Sequence, residues 1–310
     1  MAAGPDTAPL ASPADEDDSL DLFSSGLEAL FDEVVPCKGD PLQLYTYTPP
    51  AGTGVPPLTC RIPPQQVNSL FAHHVWNASE YMAKALAEKR LQVEGEDVVE
   101  LGAGAGVPGL MAARMGARSV TLTDYDDPAL IANLRSNIAL AFDKEPEVQK
   151  RIRALGHSWG EEDSLRALIS SNSSRPFSRI LLADTLWYSS AHTLLLSSLG
   201  RLLARTPSAR IHIVAGFHSG RATVRSFLRK ARKVGLVRKG EWTEVSTKGE
   251  RRQWGWDLKR REGNGGEDDG EDEESWEEKE DASERNKWAV EGDLGWSEAA
   301  LREAAVETSQ

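Results

Sequence analysis

Residues 97 to 109, DVVELGAGAGVPG, are the stretch whose residue types and spacing point most directly to chemistry. Val98, Val99 and Leu101 run into Gly102, Gly104, Gly106 and Gly109, the pattern of a strand that breaks through a tight turn into a helix. Glycine at such a turn lets the backbone approach a ligand with no Cβ to hold it off, and the start of the helix offers free N–H groups to polar ligand atoms. A nucleotide-like cofactor is the expected occupant. Asp124 ends the next apolar run, SVTLTDY, 20 residues beyond Gly104. A carboxylate there is placed to accept hydrogen bonds from both hydroxyls of a ribose.

Gly104, Gly106 and Gly109 also satisfy the dinucleotide pattern G-x-G-x-x-G, and dinucleotide enzymes place an acidic residue much as Asp124 is placed. Glu100, two residues before the first glycine, points elsewhere. The order E-L-G-A-G-A-G resembles the first motif of the seven-strand S-adenosylmethionine-dependent methyltransferases, in which an acidic residue closes the first strand. Adenosylmethionine has no pyrophosphate, so no anion must be held at the helix N-terminus and a carboxylate is tolerated close by.

The net charge of −12 over 310 residues conceals a division. Residues 1–33 hold nine acidic residues and no basic one, and residues 262–310 hold 18 acidic and 4 basic, so residues 34–261 carry +11. The run EGNGGEDDGEDEESWEEKED is charge-dense and almost without aliphatic residues, so little apolar surface is available to offset its ordering entropy. The expected organisation is a flexible acidic segment over 1–33, one domain over 34–261 and a disordered acidic tail over 262–310, whose removal would leave a folded core. Cys37 and Cys60 have no metal-binding spacing and build no disulfide framework. No apolar run reaches membrane-spanning length, and the N-terminus has no signal-peptide pattern. A soluble cytoplasmic protein is expected, with no metal and no membrane contact.

The elements that must position the glycine turn follow a β-α alternation. PLQLYTYTPPAGTGVPPLTCRI reads as a strand or hairpin arm, and FAHHVWNASEYMAKALAEKRL as a helix ahead of the turn, with Trp76 where it begins. DDPALIANLRSNIAL carries Pro128 in its first turn and a stripe of Leu130, Leu134 and Ile138. A third strand lies near RIRALGHSW, and RILLADTLW is the near-continuous apolar run of a strand buried on both faces. Helix 190–204, strand RIHIVAGF and helix 221–234 continue the alternation, and KGEWTEVS with RRQWGWDLK around TKGE reads as a β-hairpin. The expected fold is α/β, a Rossmann-like seven-stranded methyltransferase sheet with a C-terminal antiparallel β-hairpin. In helix 221–234, Arg221, Arg225, Arg229 and Lys233 recur every four residues, a basic stripe suited to weak polyanion contact if it is solvated.

VWNAS, ELGAGAGVPGL, TDYDDPALIANLRSNI, HSWG and ADTLW together resemble the protein-lysine methyltransferase branch of that fold. Within it they are similar to the fungal enzymes, once called nicotinamide N-methyltransferase-like, that methylate the N-terminus and a nearby lysine of translation elongation factor 1-alpha. The resemblance covers roughly residues 70–260. It implies that Trp76 flanks the methionine end of the cofactor, Gly102, Ala103 and Gly104 form its floor, Asp124 holds the ribose, Trp159 lies beside the adenine and the backbone of Ala183 passes close. A cationic sulfonium and a purine both favour aromatic faces.

At the acceptor end the pattern departs. The branch usually shows D-x-x-F or D-x-x-Y after the fourth strand, where this chain has Asp184 followed by Trp187 and Tyr188; after the fifth it often shows paired histidines, where FHSGR keeps His218 alone. Asp184 is the expected amine-orienting group and Trp187 a wall of the channel. Asn/Asp-Pro-Pro-aromatic, the usual mark of exocyclic base methylation, is absent from ADTLWY, and neither cysteine follows a core strand as base-carbon methylation requires. The expected function is protein N-methylation, with a cofactor-binding module of altered catalysis or a small-molecule amine methyltransferase as alternatives.

Overall fold

Hydrophobic periodicity in the first hundred residues builds an arm, and the arm leads into the sheet. In the computed structural model, which describes residues 37–64, 72–254 and 282–307, the chain enters through β1 (Cys37–Lys38), β2 (Leu44–Tyr47), β3 (Leu58–Arg61) and β4 (Val75–Trp76). β2 pairs with β3 and β1 with β4, both antiparallel. The acidic head 1–33 lies outside the described residues.

α1 (Asn77–Ala87) precedes β5 (Asp97–Leu101), α2 (Val107–Arg114), β6 (Ser119–Asp124), α3 (Pro128–Ala141), the single turn α4 (Pro146–Gln149) and β7 (Ile152–Gly156). α5 (Glu162–Ser171), β8 (Arg179–Ala183), α6 (His192–Leu202), β9 (Arg210–Gly216) and α7 (Arg221–Lys233) complete the alternation. α3 starts as its sequence demands: Pro128 stands at its first position and the Asp127 carboxylate accepts from the N–H groups of Ala129 and Leu130.

β7, β6, β5, β8 and β9 lie side by side and parallel. From β5 the chain steps outward through β6 and β7, then returns to build β8 and β9 on the other side. That reversal opens a crevice at the carboxyl ends of β5 and β8, where ligands of open α/β sheets bind. Both strands are buried along their whole length. Met82, Leu86, Leu110, Met111 and Leu134 from α1 to α3 cover one face, and Leu165, Leu168, Leu195, Leu199 and Phe227 from α5 to α7 cover the other.

Beyond β9 the structure departs from the sequence expectation. β10 (Leu236–Ser246) and β11 (Arg251–Gln253) do form the expected hairpin, but it is not what closes the sheet. β12 (Trp288–Trp296) inserts antiparallel between β9 and β10, and α8 (Glu298–Glu307) follows it. The order is β11-β10-β12-β9-β8-β5-β6-β7, eight strands with the three-residue β11 at the edge. A disordered tail from 262 is therefore corrected for residues 282–307, and the domain extends past 261. Val290, Leu294 and Trp296 are buried, and the Trp296 indole N–H donates to Ala204 O at 3.0 Å under the Arg205 guanidinium. Gly292 is obligatory because a Cβ there would lie 2.1 Å from the Trp242 ring.

The acidic residues that disguise β12 as tail are partners of basic residues in the core. Glu291 accepts from Arg90 and, at 3.0 Å, from Arg251, and Asp293 meets His212 at 2.7 Å. The basic stripe of α7 is likewise altered. Arg221 is buried, its guanidinium bonded twice to the buried Glu244 at 2.9 Å and stacked 4.1 Å over the Phe217 ring, and Arg225 is half-buried, so only Arg229 and Lys233 of the four are exposed.

Truncation after residue 261 removes β12 and leaves the edges of β9 and β10 unpaired. The truncated protein is expected to lose cooperative unfolding or to melt more than about 10 °C lower, as read by circular dichroism. A melt unchanged from the full chain would show that β12 contributes nothing to the sheet.

Candidate active site

The turn after β5 is the floor of the crevice at the carboxyl edge of the sheet. Gly102 adopts φ +68°, and a Cβ there would press on Thr185 Cγ2 at 3.0 Å and on the Trp159 ring at 3.7 Å. Gly109 is needed for a different reason. Its N–H, in the first turn of α2, donates to Glu100 Oε2 at 2.9 Å, and a Cβ on it would lie 2.7 Å from that same oxygen. Glu100 thus reaches back from β5 and places a carboxyl group at the N-terminus of the helix. It is buried, Oε1 has no hydrogen-bond partner, and burial pushes its carboxyl up to about 8.

Asp124, the last residue of β6, accepts the Gly104 N–H on Oδ2 and the Tyr125 N–H on Oδ1, each at 2.7 Å. Burial raises its pKa against the pull of those two N–H groups. Each oxygen keeps a second lone pair for a hydroxyl donor. From α3, Asn137 donates to Ala105 O at 2.9 Å and to Arg61 O at 2.8 Å, tying the glycine turn to the β2–β3 arm.

After β7, His157 is clamped between Ser164 and Ser198, its ring nitrogens 2.7 and 3.0 Å from the two hydroxyls. Burial lowers its pKa to about 4, so the ring is neutral near pH 7. Ser198 Oγ also accepts the Gly160 N–H at 2.8 Å, and the two anchors hold Trp159 between them.

Asp184 follows β8 with φ +57°, a left-handed conformation that is costly for a residue with a Cβ. Its N–H donates to Val214 O at 2.8 Å, Oδ1 accepts the Gly216 N–H at 2.9 Å, and Oδ2 meets His218 Nε2 at 3.0 Å. The His218 ring in turn packs on Trp76, centroids 5.1 Å apart. Trp187 and Tyr188 lie 5.4 Å apart at 31°, and Ser219 Oγ donates to Trp187 O at 2.8 Å.

Trp76, Gly102, Ala103, Gly104, Asp124, Trp159, Ala183, Asp184 and Trp187, the nine residues singled out from the sequence, all line one cavity of about 570 Å³. That volume suits a cofactor-sized ligand. Glu100 lies beneath the cavity instead of on its wall. Sequence reading gave no role to Asn137 or Thr185, and none to His218 beyond its retention. FHSGR carried a signal for His218, since it follows a strand that ends beside β8.

Cys37 is brought unexpectedly close. β1 pairs Cys37 with Trp76, and burial together with the charge of Asp184 pushes the thiol up to about 11, so it is no nucleophile at neutral pH. Cys60 is buried, and burial pushes its thiol up to about 12. Among the described residues no three His, Cys, Asp or Glu side chains are grouped to hold a metal.

The profile of a family described as lysine methyltransferase matches residues 58–234. The protein N-terminal and lysine N-methyltransferase of Schizosaccharomyces pombe is 32% identical over 154 residues, 49% of this chain and 58% of that one. Its namesake in Cryptococcus neoformans is 30% identical over 194 residues, 61% and 63% of the two chains, and that of Gibberella zeae 38% over 130 residues, 39% and 48%. The chain spans about half the length of the curated relatives it matches.

Burial of Glu100 makes stability depend on pH. A carboxyl whose folded pKa is raised to about 8 from an ordinary 4.5 stabilises the fold fully below pH 4.5, and that contribution is lost as pH rises through 8. Glu100→Gln keeps an acceptor for the Gly109 N–H and removes the titration. Urea unfolding of the wild type is expected to weaken by roughly 3 kcal/mol between pH 4.5 and 7 relative to that variant. Parallel pH profiles for the two proteins would mean that Glu100 is solvated.

Proposed function

The chain belongs to the lysine methyltransferase family, and on that footing we propose that it transfers the methyl group of S-adenosyl-L-methionine to an amine nitrogen of a protein. The observation that carries the choice of cofactor is the Glu100 carboxyl on the Gly109 N–H. A dinucleotide enzyme reserves the N-terminus of this helix for a pyrophosphate, where helix N–H groups and dipole favour the anion. Here the seat is filled from below by the protein's own buried carboxyl, which supports a ligand without a phosphate at that point. The remaining wall fits adenosylmethionine: a glycine floor, Asp124 with two lone pairs for ribose hydroxyls, Trp159 for the purine and Trp76 for the sulfonium.

Bound there, the cofactor supplies an electrophilic methyl group on a positively charged sulfur. The protein's part is chiefly placement, because an in-line displacement speeds up when nitrogen and methyl carbon are held close and aligned. Asp184, fixed through both oxygens, accepts an N–H of the amine and orients its lone pair. Trp187 and Tyr188 wall the approach and favour a partly methylated cation. The amine must be neutral to attack. An α-amine, with a reference pKa near 8, meets that condition more readily than lysine near 10.4, which must be desolvated first.

The acceptor class, a protein N-terminus or lysine, follows the names of the relatives, and translation elongation factor 1-alpha follows the sequence blocks shared with the fungal enzymes. We place the reaction in the cytoplasm, in keeping with two free cysteines and, among the described residues, no helix long and apolar enough to cross a membrane.

Calorimetric titration is expected to give binding of adenosylmethionine and none of NAD, and Asp124→Ala to weaken that binding by about 1.5–3 kcal/mol. With methyl-labelled cofactor and a fungal lysate, the wild type is expected to label a discrete protein band that Asp184→Ala does not. NAD binding in preference to adenosylmethionine would overturn the cofactor, and label confined to small molecules would overturn the protein acceptor.

A further inference from the structure

The loop after β9 holds both residues assigned to the acceptor end. His218 bonds the Asp184 carboxylate, and the next residue, Ser219, bonds the Trp187 carbonyl. Gly216 is shaped for the first of these contacts, since a Cβ there would lie 2.4 Å from His218 Nε2. The opposite ring nitrogen, Nδ1, is buried, and His218 lines a narrow crevice together with Asn77, Tyr81, Thr247 and Asn286. Asp184 lines both this crevice and the large cavity, so it stands in the partition between them.

We infer that His218 is the positioning residue of the acceptor site, locking the Asp184 carboxylate against the Trp76 wall so that it meets an incoming lysine ammonium or amine at one angle. This inference rests on the methyl-transfer reading. Without the imidazole, Asp184 keeps only the Gly216 N–H, and a carboxylate held at one oxygen can rotate away from the cavity. The contact also makes the site's charge depend on pH. With neutral His218 the pair carries one negative charge and attracts an ammonium; with protonated His218 it carries none. Asp184 and Asn286 raise the His218 pKa against the opposing effect of burial. Cys37 on β1, with its thiol pushed up to about 11, and Tyr81 on α1, with its phenol raised by burial and Glu80, do not ionise where His218 titrates; the other imidazole on this wall is His74, which meets Trp76 edge-on at 6.4 Å and is left in place by His218→Gln.

The test uses the full chain, S-adenosylhomocysteine, and an N-acetylated peptide with a single lysine as probe. In the wild type, peptide affinity measured with S-adenosylhomocysteine present is expected to fall several-fold from pH 8.5 to pH 6, while affinity for S-adenosylhomocysteine itself stays level. His218→Gln, which keeps an N–H donor but does not titrate, is expected to flatten that dependence and retain methyl transfer within a few-fold. His218→Ala is expected to lower methyl transfer at all pH values by about 10- to 100-fold, the scale of one hydrogen bond to a charged group, with its melt and cofactor affinity unchanged. Proton NMR reads the pair without turnover: Asp184→Asn should lower the His218 titration midpoint. If S-adenosylhomocysteine binds, the inference is overturned by an unshifted midpoint, by peptide affinity that ignores His218, or by a peptide that does not bind. Failure of the wild type to bind S-adenosylhomocysteine overturns the methyl-transfer reading instead.

Discussion

A single buried hydrogen bond, Gly109 N–H to Glu100, connects the sheet to the chemistry above it. The turn after β5 brings helix N–H groups to the floor of the cavity, and unpaired donors there would suit an anionic ligand. Glu100 supplies an acceptor from within the protein, at the cost of burying a carboxyl group in apolar surroundings. Gly109 has no side chain because the carboxyl must come this close, and Leu122 Cδ2 would lie 2.2 Å from any Cβ. Glycine placement and an ionisable group in the core are therefore aspects of one contact.

The walls of the cavity are arranged on the same economy. Both carboxylates that face it are already bound from behind, Asp124 by Gly104 and Tyr125 and Asp184 by Gly216 and His218, and the Trp159 segment is held through His157 and Ser198. Such anchoring fixes rotamers before a ligand arrives, which lowers the ordering cost of binding and of reaching a reactive geometry. Strain is retained at Asp184, where a left-handed backbone directs the chain from β8 along the cavity.

Charge is distributed between core and C-terminal segment in a way composition conceals. An excess of basic residues over 34–261 and of acidic residues after 262 suggested two independent bodies. In the fold they meet within the sheet, where β12 brings Glu291 to Arg90 and Arg251 and Asp293 to His212. These acidic side chains meet basic ones from the loop after α1, from β11 and from β9, and the apolar residues between them fill the core over β9 and β10.

The sequence by itself determined the β-α alternation, the glycine turn, and the two carboxylates and aromatic residues of the cavity wall, because each depends on local rules. Glycine spacing marks a turn, apolar runs mark buried strands, and the residue that ends a parallel strand lies at the ligand edge whatever surrounds it. Only the tertiary structure decided three things. β12 was hidden because WAVEGDLGW lies after a charge-dense run, and its fitness as a strand depends on partners more than 40 residues away. Arg221 read as one of four stripe residues until Glu244 withdrew it from solvent. His218 gained its place from Asp184, 34 residues earlier, through the adjacency of β8 and β9, and periodicity cannot register that relation. What local chemistry specifies was legible in one dimension, whereas a pairing made across the sheet became visible only when the strands were laid side by side.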